Sequence, residues 1–171
     1  MTVFEAVKER RSVRKFLDKK IPQKAIESLI ESIIWAPSAG NLQSRRFYFV
    51  FNREVKSQIA AAALNQRFIA EAPLTIVGCT DNRIRRYYGE RGVSLYSIQD
   101  TAASIENLML VAYELGLGSV WIGAFNELEV ARILNLPDYL RPVAIVPVGY
   151  PNEKPYPPSR IPKSEAVVFI T

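Results

Sequence analysis

The chain has 171 residues, 49% of them hydrophobic and 23% charged, which suits one globular domain burying about two-thirds of its unfolded surface. It contains no histidine and one cysteine, Cys79, which excludes Ser-His-Asp and Cys-His nucleophilic machinery, an intramolecular disulfide, and His- or Cys-rich metal sites. The net charge of +5 is concentrated, since the first 20 residues hold seven Lys or Arg against three acids.

In chain order, "TVFEAVKER" sets Val3, Phe4 and Val7 on one helical face. The basic run "RRSVRKF" (Arg10–Phe16) follows. After Pro22, a favourable first-turn residue, Ile26, Leu29, Ile30 and Ile33 recur at helical spacing, and the helix is expected to stop at Ala36 before Pro37. "PSAGN" is a loop. "RFYFVFN" is aromatic and β-branched, a strand; "REVKSQIAAAAL" is a helix; "APLTIVGCT" is a continuous apolar strand expected at the sheet centre, with Cys79 buried and inert. "DNRIRRYYGERG" reads as a polar, mobile loop.

"SIQDTAASIENLMLVAYELGLG" carries the clearest helical periodicity and is expected to be the buried central helix, closed by Gly116 and Gly118. "SVWIGAF" is short and apolar, and Asn126 caps a helix in "NELEVARILN". "RPVAIVPVGYP" is a strand whose Pro147 predicts an edge or bulge position. "PNEKPYPPSRIP" holds five of the eleven prolines and reads as an extended arm, and "EAVVFI" as a final strand. The mixture predicts an α+β sandwich, helices covering an antiparallel or mixed sheet, in one unit spanning 1–171 with 151–171 as arm and terminal strand. That arm is expected to leave its own domain for a partner chain. No apolar run reaches a membrane span, and nothing predicts export, so the expected location is the cytoplasm.

Three stretches carry possible chemistry. In "RRSVRKF", three arginines and a serine could enclose a phosphate, because guanidinium donates paired hydrogen bonds and stays charged. A solvated basic face and a nucleic-acid patch stay open, although charge packed into one short segment suits a small anion better than a duplex. In "WAPSAGNLQ", small residues would let a flat ligand approach, while Ser38, Asn41 and Gln43 offer hydrogen bonds; a plain helix-ending loop is the alternative. In "GLGSVWIGAF", Gly123 and Ala124 leave backbone N–H groups accessible. Its Gly-x-Gly lacks the third glycine of a dinucleotide fingerprint.

Taken in order, "RRSVRKF", "APSAGN", "ELGLGSVWIGAF" and "PVGYP" resemble the FMN-dependent nitroreductase family, in its compact branch, from Phe4 to about Val168. The resemblance implies a nitroreductase-like sandwich and a homodimer with FMN at the subunit interface and an exchanged C-terminal strand. By similarity, Arg10, Arg11 and Ser12 would hold the FMN phosphate and ribityl chain, and Arg14, the implied catalytic residue, would lie by the pyrimidine edge. Pro37, Ser38, Ala39 and Asn41 of the other subunit would line the ring. Ile122, Gly123 and Ala124 would approach N5, Asn65 the ring's polar edge, and Arg160 the phosphate. Departures from the family pattern are Ser44 and Arg45 after Gln43, Phe68 and Pro158 in place of basic residues, and Gly123 in place of an acid. The implied activity is hydride transfer from NADH or NADPH through flavin N5 to a nitroaromatic, quinone or similar acceptor by a ping-pong mechanism. No protein nucleophile is then needed. The rivals are a specialised flavin enzyme of dehalogenase or flavin-fragmenting type, and a nucleic-acid-binding module.

Overall fold

A computed structural model describes residues 1–171. Its centre is a four-stranded sheet of β1 (Arg45–Val50), β2 (Leu74–Asp81), β3 (Gly118–Ser119) and β4 (Leu140–Gly149), in the order β1-β2-β4-β3. All three ladders are antiparallel; the one parallel element is an isolated bridge between Ser12 and Ser119. The fold is therefore α+β, as the mixed pattern predicts.

The core divides by the two-residue period of the strands. On one face Leu74 and Ile76 of β2, with Val146 and Val148 of β4, pack against α2 (Gln23–Ile34) and α6 (Ser97–Glu114). On the other, Val77, Cys79 and Ile145 pack against α3 (Arg53–Ala62), α4 (Phe68–Glu71) and α7 (Glu127–Ile133). Both faces of β2 are covered, which is why its sequence is a continuous apolar run rather than an alternating one. Cys79 lies inside, and burial pushes its thiol up to about 12.

Several expectations are corrected. Pro147 is neither at an edge nor at the bulge. β4 lies between β2 and β3, and the bulge falls at Val143, where Gly78 faces Ala144 but Cys79 faces Pro142. The missing N–H is tolerated because β3 covers only Val148 and Gly149, while Ile122 exchanges hydrogen bonds with Ile145, so Pro147 sits in the gap between. α2 ends at Ile34, short of Ala36.

The polar stretch after β2 is not a loop. A short 3₁₀ turn leads into α5 (Arg85–Arg91), broken at Gly89 (φ 56°, ψ −146°), and a π turn then runs without a gap into α6. Asp81 caps its start by accepting from the Arg83 N–H at 3.0 Å, and Ile84 is its one buried anchor. A helix with so little apolar face leaves almost no periodicity to read.

At the far end, Glu165 and Ala166 belong to a single helical turn, α8 (Lys163–Ala166), started by Pro162, rather than to a strand. Val167 is extended, yet nothing within the chain pairs with it or with the exposed Val168, Phe169 and Ile170 that follow. The apolar face of α1 (Val3–Glu9) is likewise outward: Val3, Phe4 and Val7 are all exposed.

Candidate functional site

The basic segment is built by its attachments. α1 opens with a reciprocal capping box between Thr2 and Glu5, and the chain leaves the helix at Arg10. Ser12 and Val13 then run beside β3, with the Val13 N–H donating to the Ser119 carbonyl at 3.0 Å. Gly118 makes that approach possible, since a Cβ there would stand 2.7 Å from the Val13 Cβ. Further on, the Leu17 N–H donates to the Tyr150 carbonyl at 2.9 Å and the Asn152 N–H to the Lys15 carbonyl at 2.8 Å. One Glu153 oxygen accepts from the N–H groups of both Arg14 and Lys15.

These bonds tie the proline-rich arm to the basic segment and carry Arg160 to it. Arg10, Arg11, Ser12, Arg14 and Arg160 line one cleft of about 290 Å³, with Tyr156 on its wall. The four guanidiniums have no carboxylate partner; the chain's ion pairs are Asp81–Arg83, Arg85–Glu90, Glu129–Arg132 and Glu127–Arg141, all elsewhere. Arg11 instead donates to the Lys8 and Arg10 carbonyls at 2.7 and 2.8 Å, and Arg160 to the Ser159 carbonyl at 3.0 Å. Two of the four permanent cations, Arg11 and Arg160, are held by carbonyls, and none of the four has an ion-pair partner, a donor set suited to an anion. Pro158, where the family pattern has a basic residue, also lines this cleft.

The loop of Pro37, Ser38, Ala39 and Asn41 does not line that cleft. It is a single tight turn in which Gly40 and Asn41 both take left-handed backbone, φ 55° and 56°. Asp100, buried in the first turn of α6, holds it: one carboxylate oxygen accepts from the Ala39 N–H at 2.9 Å, the other from the Ser44 hydroxyl at 2.7 Å. The Ser38 hydroxyl accepts from the Gln43 N–H at 3.0 Å. Arg45 donates to the Ala36 carbonyl at 2.7 Å and the Pro37 carbonyl at 3.3 Å. Burial lowers the Arg45 pKa and the Asp100 charge opposes that shift. Of the departures from the family pattern, Arg45 thus joins Asp100 in pinning this loop, and Ser44 shares the Asp100 carboxylate.

The remaining candidates lie apart from the arginine cleft. Ile122 is buried and paired with Ile145, while Gly123 and Ala124 are exposed just beyond it. Asn65 sits at a left-handed turn after α3 (φ 58°) and lines a different cavity of about 810 Å³. Phe68 opens α4. Sequence reasoning missed Glu153 and Asp100. Glu153 has no local signal inside a proline-rich arm, and an acid in a helix's first turn is too common to single out Asp100. No group of three or more His, Cys, Asp or Glu is placed to hold a metal, and no helix is long and apolar enough to cross a membrane.

The sequence pattern of the nitroreductase family matches residues 7–70 and 60–150, a span that takes in the basic segment, the Asp100-anchored loop and all four strands. A Methanothermobacter thermautotrophicus protein whose name pairs NADH dehydrogenase with NAD(P)H nitroreductase is 31% identical over 159 residues, covering 91% of this chain and 80% of its own. An FMN reductase of Bacillus subtilis named for NAD(P)H is 30% identical over 179 residues, covering 96% and 72%. Among solved structures, B. megaterium NfrA2 superposes with a TM-score of 0.91 at 27% identity, over 98% of this chain and 74% of that one. The four-stranded sheet, the order of the three chemistry-bearing segments and these likenesses agree, and the chain belongs to the nitroreductase family.

Proposed function

We propose that this protein is an FMN-dependent oxidoreductase that takes hydride from NADH or NADPH and passes it to a nitroaromatic, quinone or similar acceptor in a ping-pong cycle. The observation that carries the reading is the convergence of Arg10, Arg11, Ser12, Arg14 and Arg160 on one cleft with no carboxylate to neutralise them. Such a donor set fits a phosphate monoester, and FMN ends in one. The names of the relatives, an NAD(P)H nitroreductase and an NAD(P)H FMN reductase, support the same cofactor and donor.

Arg10, Arg11, Ser12 and Arg160 hold the phosphate and ribityl chain. FMN, when bound, would supply the two-electron hydride chemistry. Arg14 sets a permanent guanidinium beside the pyrimidine edge, where negative charge collects on reduction, and so favours hydride acceptance. Asn65 would meet the ring's polar edge, and Ile122, Gly123 and Ala124 would approach N5 through their backbone. The chain has no histidine, and solvent or flavin-bound protons can complete the reduction.

The functional unit is a homodimer in which Pro37, Ser38, Ala39 and Asn41 of one chain complete the site of the other. Three observations support it: the loop is absent from its own chain's cleft, the face of α1 is exposed, and the apolar tail Val167–Ile170 is unpaired. β1 is an open sheet edge able to receive a partner's terminal strand. The protein should purify yellow with about one FMN per chain, and NADH or NADPH should bleach it. Colourless protein that takes up no added FMN overturns the reading.

A further inference from the structure

The 810 Å³ cavity holds a charge arrangement that the flavin reading leaves unexplained. Its wall carries four cations, Lys20, Arg53, Lys56 and Arg67, against two acids, Asp18 and Glu71, and none of the six is in an ion pair. Lys20, Arg53 and Arg67 are exposed at the rim, but Lys56 is only 5% exposed. Its ammonium donates to the Ala72 carbonyl, which accounts for one of its three N–H groups. Burial lowers its pKa, the nearby Arg53 lowers it further, and Asp18 acts the other way. A buried ammonium with no carboxylate at ion-pair distance is costly, and beyond the Ala72 carbonyl Lys56 has no protein acceptor for its other two N–H groups. α3 lines the cavity along its flank, through Arg53, Lys56, Ser57, Ala60 and Ala61.

We propose that this cavity is a second anion site, distinct from the Arg10–Arg14 cleft, which takes a phosphate or diphosphate group. Lys56 meets the anion at the base, and Lys20, Arg53 and Arg67 close over it from the rim. Two sources share that chemistry: the diphosphate of the nicotinamide donor, or a phosphorylated ligand unrelated to electron transfer. Asn65 lies on the same wall, which makes the donor a reasonable occupant if that residue meets the flavin. The charge argument does not depend on it.

The test is calorimetric titration of inorganic pyrophosphate into the flavin-loaded protein, whose arginine cleft is already filled. Saturable binding is expected, weakened about tenfold in Lys20→Gln/Arg53→Gln, whose substitutions are both on the exposed rim. Lys56→Met should abolish it, and if that variant does not fold, the rim variant decides. Kinetics with NADH and with a phosphate-free dihydronicotinamide then separate the sources. A fall in kcat/KM for NADH alone identifies the donor's diphosphate, and unchanged kinetics for both identify another phosphorylated ligand; either accords with the proposal. Absence of saturable binding, or equal affinity in the rim variant, overturns it. If the protein loads no flavin, only the flavin reading fails. The same titration on an Arg10→Gln/Arg11→Gln background, with the first cleft silenced, then decides this proposal by the same two outcomes.

Discussion

Glu153 holds Arg14 by its backbone, not by its charge. One carboxylate oxygen accepts from the main-chain N–H of Arg14 at 2.5 Å and of Lys15 at 3.0 Å, and forms no ion pair with either side chain. The arm is fastened while the cations stay free for a ligand. Hydrogen bonds to a charged acceptor contribute about 1.5–3 kcal/mol. Glu153→Ala should therefore release the arm, withdraw Arg160 and weaken FMN about tenfold, with Glu153→Gln falling between. Fluorescence titration of the apoprotein with FMN measures this. Equal affinities in all three proteins would show that the latch does not position Arg160.

Arg14→Ala separates the two contributions of that residue. The backbone bond to Glu153 survives the substitution, so the arm and FMN should be retained. The guanidinium proposed to lie by the ring edge is lost, and one such electrostatic contact is commonly worth ~3 kcal/mol, about a hundredfold in rate. Anaerobic stopped-flow reduction by NADH reads the effect directly. A wild-type reduction rate would remove Arg14 from the pyrimidine edge.

Asp100→Ala should be among the more damaging single changes. It leaves the Ala39 N–H and the Ser44 hydroxyl without their acceptor at a largely buried site. About 2–4 kcal/mol of stability should be lost, with Asp100→Asn recovering part because it keeps one acceptor oxygen. Urea unfolding followed by circular dichroism gives both values, and a loss below 1 kcal/mol, roughly one neutral hydrogen bond, would contradict the anchoring role.

A site shared between chains can be tested by mixing. One variant carries Arg11→Ala and Ser12→Ala, the other Ser38→Ala and Asn41→Ala, and each homodimer is impaired at both sites. Refolded together, about half of the dimers are mixed, and each mixed dimer has one intact site, so roughly a quarter of all sites recover. Activity near that fraction is expected. Verified mixed dimers no more active than the parental average would place both segments in one chain.

The Glu127–Arg141 pair gives a pH signature. Arg141 grips the carboxylate at 2.7 and 2.9 Å, and this hydrogen bonding holds the Glu127 pKa below its usual value despite partial burial. A depressed folded-state pKa contributes stability that is present above the unfolded pKa and lost as pH falls through the folded one. Because the pair is nearly half exposed, Arg141→Gln should cost no more than about 1 kcal/mol at neutral pH. The gap between variant and wild type in urea midpoints should close on acidification through the carboxylate range. A gap independent of pH would show that α7 is held to β4 by packing alone.

What was legible in the sequence was what local spacing encodes. β2 announced itself because both its faces are buried, and α6 because Ile98, Ala102, Ile105, Met109 and Ala112 recur at spacings of four and three. The basic segment was conspicuous as a cluster of like charges with no spacing to explain it. What was not legible depends on distant partners. α5 buries no residue of its own and follows the single buried Ile84, so nothing repeats, and Val167–Ile170 has strand composition but no strand beside it. Pro147 was misplaced because its tolerance comes from how short β3 is, which its own neighbours in sequence do not reveal. Glu153 and Asp100 are ordinary acids until the residues 139 and 61 positions away are in place.

The arm has one more consequence, for how the molecule breathes. From Tyr156 onward every residue is exposed within its own chain, so wherever no partner covers it this segment can lift from the body at far lower free energy than the sheet can unfold. Each such opening removes Arg160 and leaves Arg10, Arg11 and Ser12 in place. Release of an anion from the cleft and fraying of the arm are then coupled equilibria. A ligand bridging Arg160 to the N-terminal cations should slow amide hydrogen exchange in the segment around residues 152–160, with β2 and β4 unaffected.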